Sequence, residues 1–230
     1  MATKKNKKKN KKIIIIPILL LIIIILLVVY IALKPITNIY ISGNNILSDK
    51  DIITISKLDN YPSFLNTYLI KIKDRLLKNN YIKNAKINRK LSGKIYIHID
   101  EYKPICIYND NLVLSSKNKV VNKYNIDYVP YVINNIDNIY DKFVEQFSLL
   151  DTDILLKISQ IEYIPNDVDK ERFILYMIDS NYVYTTLSKI EKVNKYNLII
   201  NELENKKGII YLDSGDYVEI KGWHNIILII

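Results

Sequence analysis

The sequence predicts an α+β protein hung on a single membrane helix, and three observations carry that reading. Residues 13–33 form a run of 21 residues without one charge. The segment that follows reads as strand, helix, helix, strand, strand. After it come short strand-like runs separated by turn residues and interrupted by one or two helical stripes, the pattern of a mixed sheet with helices on it.

The anchor comes first. At 1.5 Å per residue, 21 helical residues reach about 30 Å, the thickness of a bilayer's hydrocarbon core. Pro17 falls in the opening turns, where a missing N–H costs least. The stretch is longer than the apolar core of a cleaved signal and no small-x-small site follows it, since Tyr30 stands two places before Ala32. The net charge of +9 points in the same direction. Seven of the 33 basic residues are lysines between positions 4 and 12, which leaves 26 bases against 24 acids in the rest. A nucleic-acid-binding domain would hold its excess on a folded face, whereas here it abuts the span. Lysines placed there keep the amino end cytoplasmic and the bulk of the chain outside.

In the outer part, residues 37–42 alternate about Ile39 and Ile41 and end in the turn Gly43-Asn44. Ser48 and Asp51 have helix-start spacing. Leu65, Leu69, Ile72 and Leu76, spaced 4, 3 and 4, form a second helical stripe. Residues 81–90 carry Ala85 and Ile87 on one face. After Leu91-Ser92-Gly93, Ile95, Ile97 and Ile99 alternate with Tyr96, His98 and Asp100, so His98 reads as a solvated strand residue.

These residues resemble the POTRA domain of the FtsQ/DivIB cell-division proteins. The resemblance rests on Ile39-Tyr40-Ile41-Ser42-Gly43-Asn44, the capped helix, residues 81–89, and Ile95-x-Ile97-x-Ile99-x-Glu101-x-x-Pro104 just beyond an anchor. It implies a basic tail over 1–12, a transmembrane helix over 13–33, a POTRA-type βααββ domain over 36–104 and a β-domain over 105–222. An apolar tail over 223–230 would then be a last strand or a contact with a partner. For the β-domain the sequence offers strands over 105–108, 112–114, 119–121, 128–133, 158–164, 173–178, 182–186, 209–213 and 217–220. Helices are expected over 138–150 and 189–203. In the family's first β-domain turn, where Asp and Gly are usual, this chain has Ser115 and Asn118, and Asn118 would take the left-handed conformation.

Chemistry finds little foothold. The five glycines are scattered, so no phosphate loop forms. Two distant histidines and one cysteine have no zinc spacing, and Cys106 reads as a small buried residue. Asp151/Asp153, Asp167/Asp169 and Asp100/Glu101 read as solvated acids. No catalytic residue, metal, cofactor, nucleic acid or small-molecule substrate is expected. The resemblance instead implies a divisome scaffold, concentrated at the septum, that binds FtsL and FtsB/DivIC and helps couple septum formation to wall synthesis. It places the partner-binding edge on Ile209, Ile210, Tyr211, Leu212, Asp213, Ser214, Gly215 and Tyr217. Residues 209–213 would form a strand with one side open to a partner strand. The alternatives are an enzyme on a membrane stalk and a POTRA-containing secretion or assembly factor.

Overall fold

The structure, a computed structural model, describes residues 11–121, 124, 126, 128–204, 206–220 and 226–228. The basic residues 4–9 and Trp223 therefore lie outside the described residues. Contacts divide the chain into two units, 1–101 and 102–230.

The first unit opens with α1 (Lys11–Leu33), whose side chains from Ile15 to Tyr30 all stand exposed. It is the one helix among the described residues that is long and apolar enough to cross a membrane. Four residues lead to β1 (Asn38–Ser42), followed by α2 (Asp49–Ser56), α3 (Leu69–Leu77), β2 (Ile82–Arg89) and β3 (Lys94–Glu101). The sheet order is β1-β3-β2, with β1 parallel to β3 and β2 antiparallel to it. Ile95, Ile97 and Ile99 are at most 1 % exposed, and Ile52 and Leu76 are fully covered with them. His98 faces solvent, beside Ser42 and Asp100.

Local chemistry explains these elements. The Ser48 hydroxyl accepts from the Asp51 N–H, and the Asp51 carboxylate accepts from the Ser48 N–H at 3.0 Å, a reciprocal cap that satisfies two orphan donors of α2. Lys57 closes the helix in the left-handed conformation, φ 58°. Gly43 is required: its φ is +82°, and a Cβ there would sit 2.2 Å from the Ile99 carbonyl oxygen. Beside it, the Glu101 carboxylate accepts from three consecutive backbone amides, those of Asn45 (2.9 Å), Ile46 (2.8 Å) and Leu47 (2.9 Å). The last residue of β3 thereby holds the loop between β1 and α2.

Two expectations for this unit change. The stripe assigned to the second helix starts four residues too early, since α3 begins at Leu69 and Leu65 is exposed. The Leu65 and Phe64 amides donate instead to the carbonyls of Ala32 and Lys34, which holds the segment out of the helix. In β2, Ala85 is buried and Ile87 only half-buried; an irregularity between Ile82 and Asn84 shifts the register, so Ile82 and Ala85 both turn inward.

The second unit is one mixed sheet with helices on its inner face. Its strands are β4 (Pro104–Tyr108), β5 (Asn111–Leu114), β6 (Lys119–Val121), β7 (Tyr131–Val132), β8 (Ile158–Tyr163), β9 (Arg172–Met177), β10 (Tyr182–Thr186), β11 (Gly208–Tyr211), β12 (Tyr217–Ile220) and β13 (Ile226–Leu228). Their spatial order is β13-β12-β11-β10-β9-β8-β7-β4-β5-β6. Asn109 and Asp110, both at positive φ, make the two-residue turn between β4 and β5. In the next turn the left-handed residue is Lys117 (φ 68°), not Asn118: the Lys117 amide donates to the Leu114 carbonyl while Leu114 donates to Asn118, which places the corner one residue earlier.

Helical segments cover the inner face. A 3-10 turn (Asp137–Ile139) runs into α4 (Tyr140–Phe147), and α5 (Thr152–Leu155) occupies the stretch read as loop acids. The expected helix over 189–203 is a 3-10 segment (Leu187–Lys195) followed by α6 (Tyr196–Glu202). Its buried residues Leu187, Ile190, Val193, Tyr196 and Ile199 recur every third position, the period of a 3-10 coil. Phe143, Phe147 and Phe173 meet at ring distances of 4.2–5.7 Å, beneath fully buried Leu175, Val183, Ile210 and Val218. Cys106 is fully buried in this core, and burial pushes its thiol far above the ordinary range. Among the carboxylates, Asp153 accepts from Asn197, and Asp169 accepts from the Glu171 amide and the Thr186 hydroxyl.

Candidate partner-binding face

Strand alternation in β9 to β12 sorts the residues into two faces. Phe173, Leu175, Met177, Val183, Thr185, Ile210, Val218 and Ile220 point into the core. Arg172, Ile174, Tyr176, Tyr182, Tyr184, Ile209, Tyr211, Tyr217 and Glu219 point the other way, towards the face without helices. Tyr184, Tyr211 and Tyr217 occupy one row, because register pairs Tyr184 with Tyr211 and Tyr211 with Tyr217. Their rings are stacked, with centroids 5.1 and 4.6 Å apart and planes within 18° of parallel.

The row is fixed at one end by a cation. The Arg172 guanidinium lies 4.6 Å from the centre of the Tyr184 ring, and its Nε donates to Asp213 at 2.6 Å. Asp213 is nearly enclosed, and its carbonyl accepts from Lys189. Such a pair holds Arg172 over the ring. The Tyr211 hydroxyl lies 3.4 Å from the Glu219 carboxylate; partial burial and then that acid push the Tyr211 phenol upward. In a second row, Tyr176 and Tyr182 meet edge to face at 5.5 Å. Here the Tyr176 hydroxyl donates to Glu162, which with burial pushes its pKa up to about 12.

The expected residues divide between several places. Ile209, Tyr211 and Tyr217 lie half-buried on the outer face; Ser214 and Gly215 are exposed in the turn between β11 and β12. Ile210 and Leu212 are buried, and Asp213 is committed to Arg172.

The open edge expected for residues 209–213 is corrected by the pairing. β11 ends at Tyr211 and has β10 on one side and β12 on the other. The Leu212 amide donates to the Tyr184 carbonyl at 2.8 Å and so is taken up within the sheet. Where the sheet order ends is β13, whose Ile226–Leu228 pairs with Tyr217–Glu219.

Arg172 and Tyr184, and Tyr176 and Tyr182 of the second row, escaped the sequence reading because both rows form only across strands. The signal was present in the alternation Arg172-Phe173-Ile174-Leu175-Tyr176-Met177, which assigns every second residue to one face.

Comparison with known proteins bears on the first unit and on the family. The model for the POTRA domain, FtsQ-type, matches residues 34–102. Cell division protein DivIB of Bacillus subtilis (strain 168) is 30 % identical over 197 residues, covering 81 % of this chain and 74 % of that protein. DivIB of Listeria monocytogenes is 26 % identical over 201 residues, covering 81 % and 73 %. A solved structure of the major extracytoplasmic domain of DivIB from Geobacillus stearothermophilus aligns with 46 % of this chain and 96 % of its own, at 20 % identity and a TM-score of 0.37. With a POTRA unit directly behind its apolar helix and 30 % identity to a protein of which it spans about three quarters, this chain belongs to the FtsQ/DivIB family of bacterial cell-division proteins.

Proposed function

We propose that the chain is a non-enzymatic scaffold of the division machinery, anchored by α1 with its amino end in the cytoplasm and concentrated at the septum. Its outer units hold small membrane partners of the FtsL and FtsB/DivIC type and help couple septum formation to wall synthesis. Family membership supports the cell-division role. The observation that carries the binding site is the row Arg172–Tyr184–Tyr211–Tyr217, which lies half-exposed beside the end of the large sheet. An extended partner segment pairs at that end, next to β13, and the chain continuing from it crosses the outer face over the tyrosines. Of the residues expected at the site, Ile209, Tyr211, Tyr217, Ser214 and Gly215 touch the partner. Ile210, Leu212 and Asp213 support them from beneath.

The test is Tyr211→Ala in the full chain, with capture of an FtsL–FtsB-like pair as the measure. Truncating a central tyrosine costs about 2 kcal/mol, roughly a 30-fold loss of affinity. Melting should change little, because Tyr211 lies outside the core. A variant that melts early yet captures the pair normally in its folded fraction would place the site elsewhere.

A further inference from the structure

The loop between α2 and α3 is fastened to the end of the membrane helix. Ile36 donates to the Pro62 carbonyl at 3.0 Å, Phe64 to Lys34 at 2.8 Å, and Leu65 to Ala32 at 2.9 Å. Ala32 belongs to the uncharged span itself. From the other side Arg89 locks the same loop: its guanidinium lies 3.6 Å from the centre of the Phe64 ring and donates to the Phe64 and Thr67 carbonyls. The Thr67 hydroxyl closes the turn onto Ser63.

This fixed loop shows an apolar face to its surroundings. Tyr61, Leu65, Tyr68 and Ile70 are 58, 56, 56 and 78 % exposed, and Leu65, Tyr68 and Ile70 line a cleft together with Phe64 and Leu69. No acid occurs from residue 60 to 73, and Lys71 sits 4.9 Å over the Tyr68 ring. Aromatic rings with lysine beside them, flanking exposed aliphatic side chains, have the composition of a segment at a membrane–water boundary.

We propose that residues 61–71 rest in the outer leaflet of the bilayer that α1 crosses. Leu65 and Ile70 enter the acyl boundary, Tyr61 and Tyr68 sit at headgroup level, and Lys34 and Lys71 face lipid phosphates. The occupant is a lipid surface because the hydrogen bond to Ala32 leaves no other height for Leu65. An amide 2.9 Å from a carbonyl in the last turn of the span lies at the edge of the hydrocarbon. The proposal rests on α1 spanning the membrane and is independent of the partner site.

The test uses the full chain reconstituted in phosphatidylcholine–phosphatidylglycerol vesicles without any other protein. Single nitroxide labels are introduced at Leu65→Cys, Ile70→Cys, Ile24→Cys and Val168→Cys. Cys106 stays in place because it is buried, and wild type treated with the same nitroxide reagent serves as its control. Collision rates with oxygen and with a water-soluble nickel chelate are compared at each site. Labels at 65 and 70 should show an oxygen-to-nickel ratio several-fold above that at 168, approaching that at 24. A ratio at 65 and 70 equal to that at 168, with the label at 24 in lipid, overturns the proposal while leaving the anchor intact. A water-exposed label at 24 overturns the anchor and this inference together, but leaves the tyrosine row untouched.

Discussion

Removing the Glu101 carboxylate should loosen the first unit more than its place at the end of a strand suggests. It accepts from the Asn45, Ile46 and Leu47 amides at 2.8–2.9 Å. Hydrogen bonds to a charged acceptor contribute about 1.5–3 kcal/mol each, so three approach 5–9 kcal/mol at most. Asn45 is exposed, and water can replace part of what is lost. A loss of about 2–4 kcal/mol for Glu101→Ala is therefore expected. In a unit of this size that lowers Tm by roughly 10–25 °C. Glu101→Gln should fall between, since one carbonyl oxygen can serve Asn45 and Ile46 while its NH2 faces the Leu47 donor. The assay is thermal unfolding of the full chain in detergent, with hydrogen exchange of amides 45–47 as the local measure. Unchanged Tm and unchanged protection at 45–47 in Glu101→Ala would refute the reasoning.

Ile97→Asp buries an unpaired charge at a site 1 % exposed; a loss on the order of 4 kcal/mol or more should unfold the first unit, and limited proteolysis would reveal it. Protease added outside spheroplasts should digest everything beyond about Lys34, and survival of the carboxyl-terminal mass would reverse the proposed orientation. The raised Tyr176 pKa, about 12, means that the folded state keeps its proton where the unfolded state, near 10, has released it. The stability this phenol contributes is complete below pH 10 and is lost as pH rises through 12. In Glu162→Gln, an ultraviolet titration should find the Tyr176 phenolate forming at lower pH than in wild type; an unchanged titration would remove Glu162 as the cause.

The parts of the fold written in neighbouring residues were legible. Ser48 and Asp51 cap a helix because both partners of the box lie within one turn, and the alternation at Ile95, Ile97 and Ile99 assigned the buried face of β3 directly. Features decided by distant groups were not legible. Leu65 fits a helical stripe, yet its amide is taken by Ala32, 33 positions earlier in the chain. Residues 209–213 alternate like a strand, but alternation says nothing of the neighbours, and β10 reaches β11 only through the 3-10 segment and α6. The tyrosine row has the same origin: its members come from three strands, and register alone aligns them. The three-residue period of Leu187, Ile190 and Val193 is legible in the sequence, and it distinguishes the 3-10 segment from the α-helix expected over 189–203.

The left-handed corners of this chain have a bearing on its engineering. With five glycines in 230 residues, such corners fall on Lys57 and Lys117 as well as on the more tolerant Asn109 and Asp110. A side chain with a Cβ holds about 1 kcal/mol of strain in that conformation, which glycine would release at a smaller entropic cost in the unfolded chain. Lys57 closes α2 and Lys117 turns a hairpin, both away from the buried cores. Thermostabilised variants can therefore begin with glycine at these two corners, raising the melting point for crystallisation or reconstitution while leaving the tyrosine row and the membrane-facing loop unaltered.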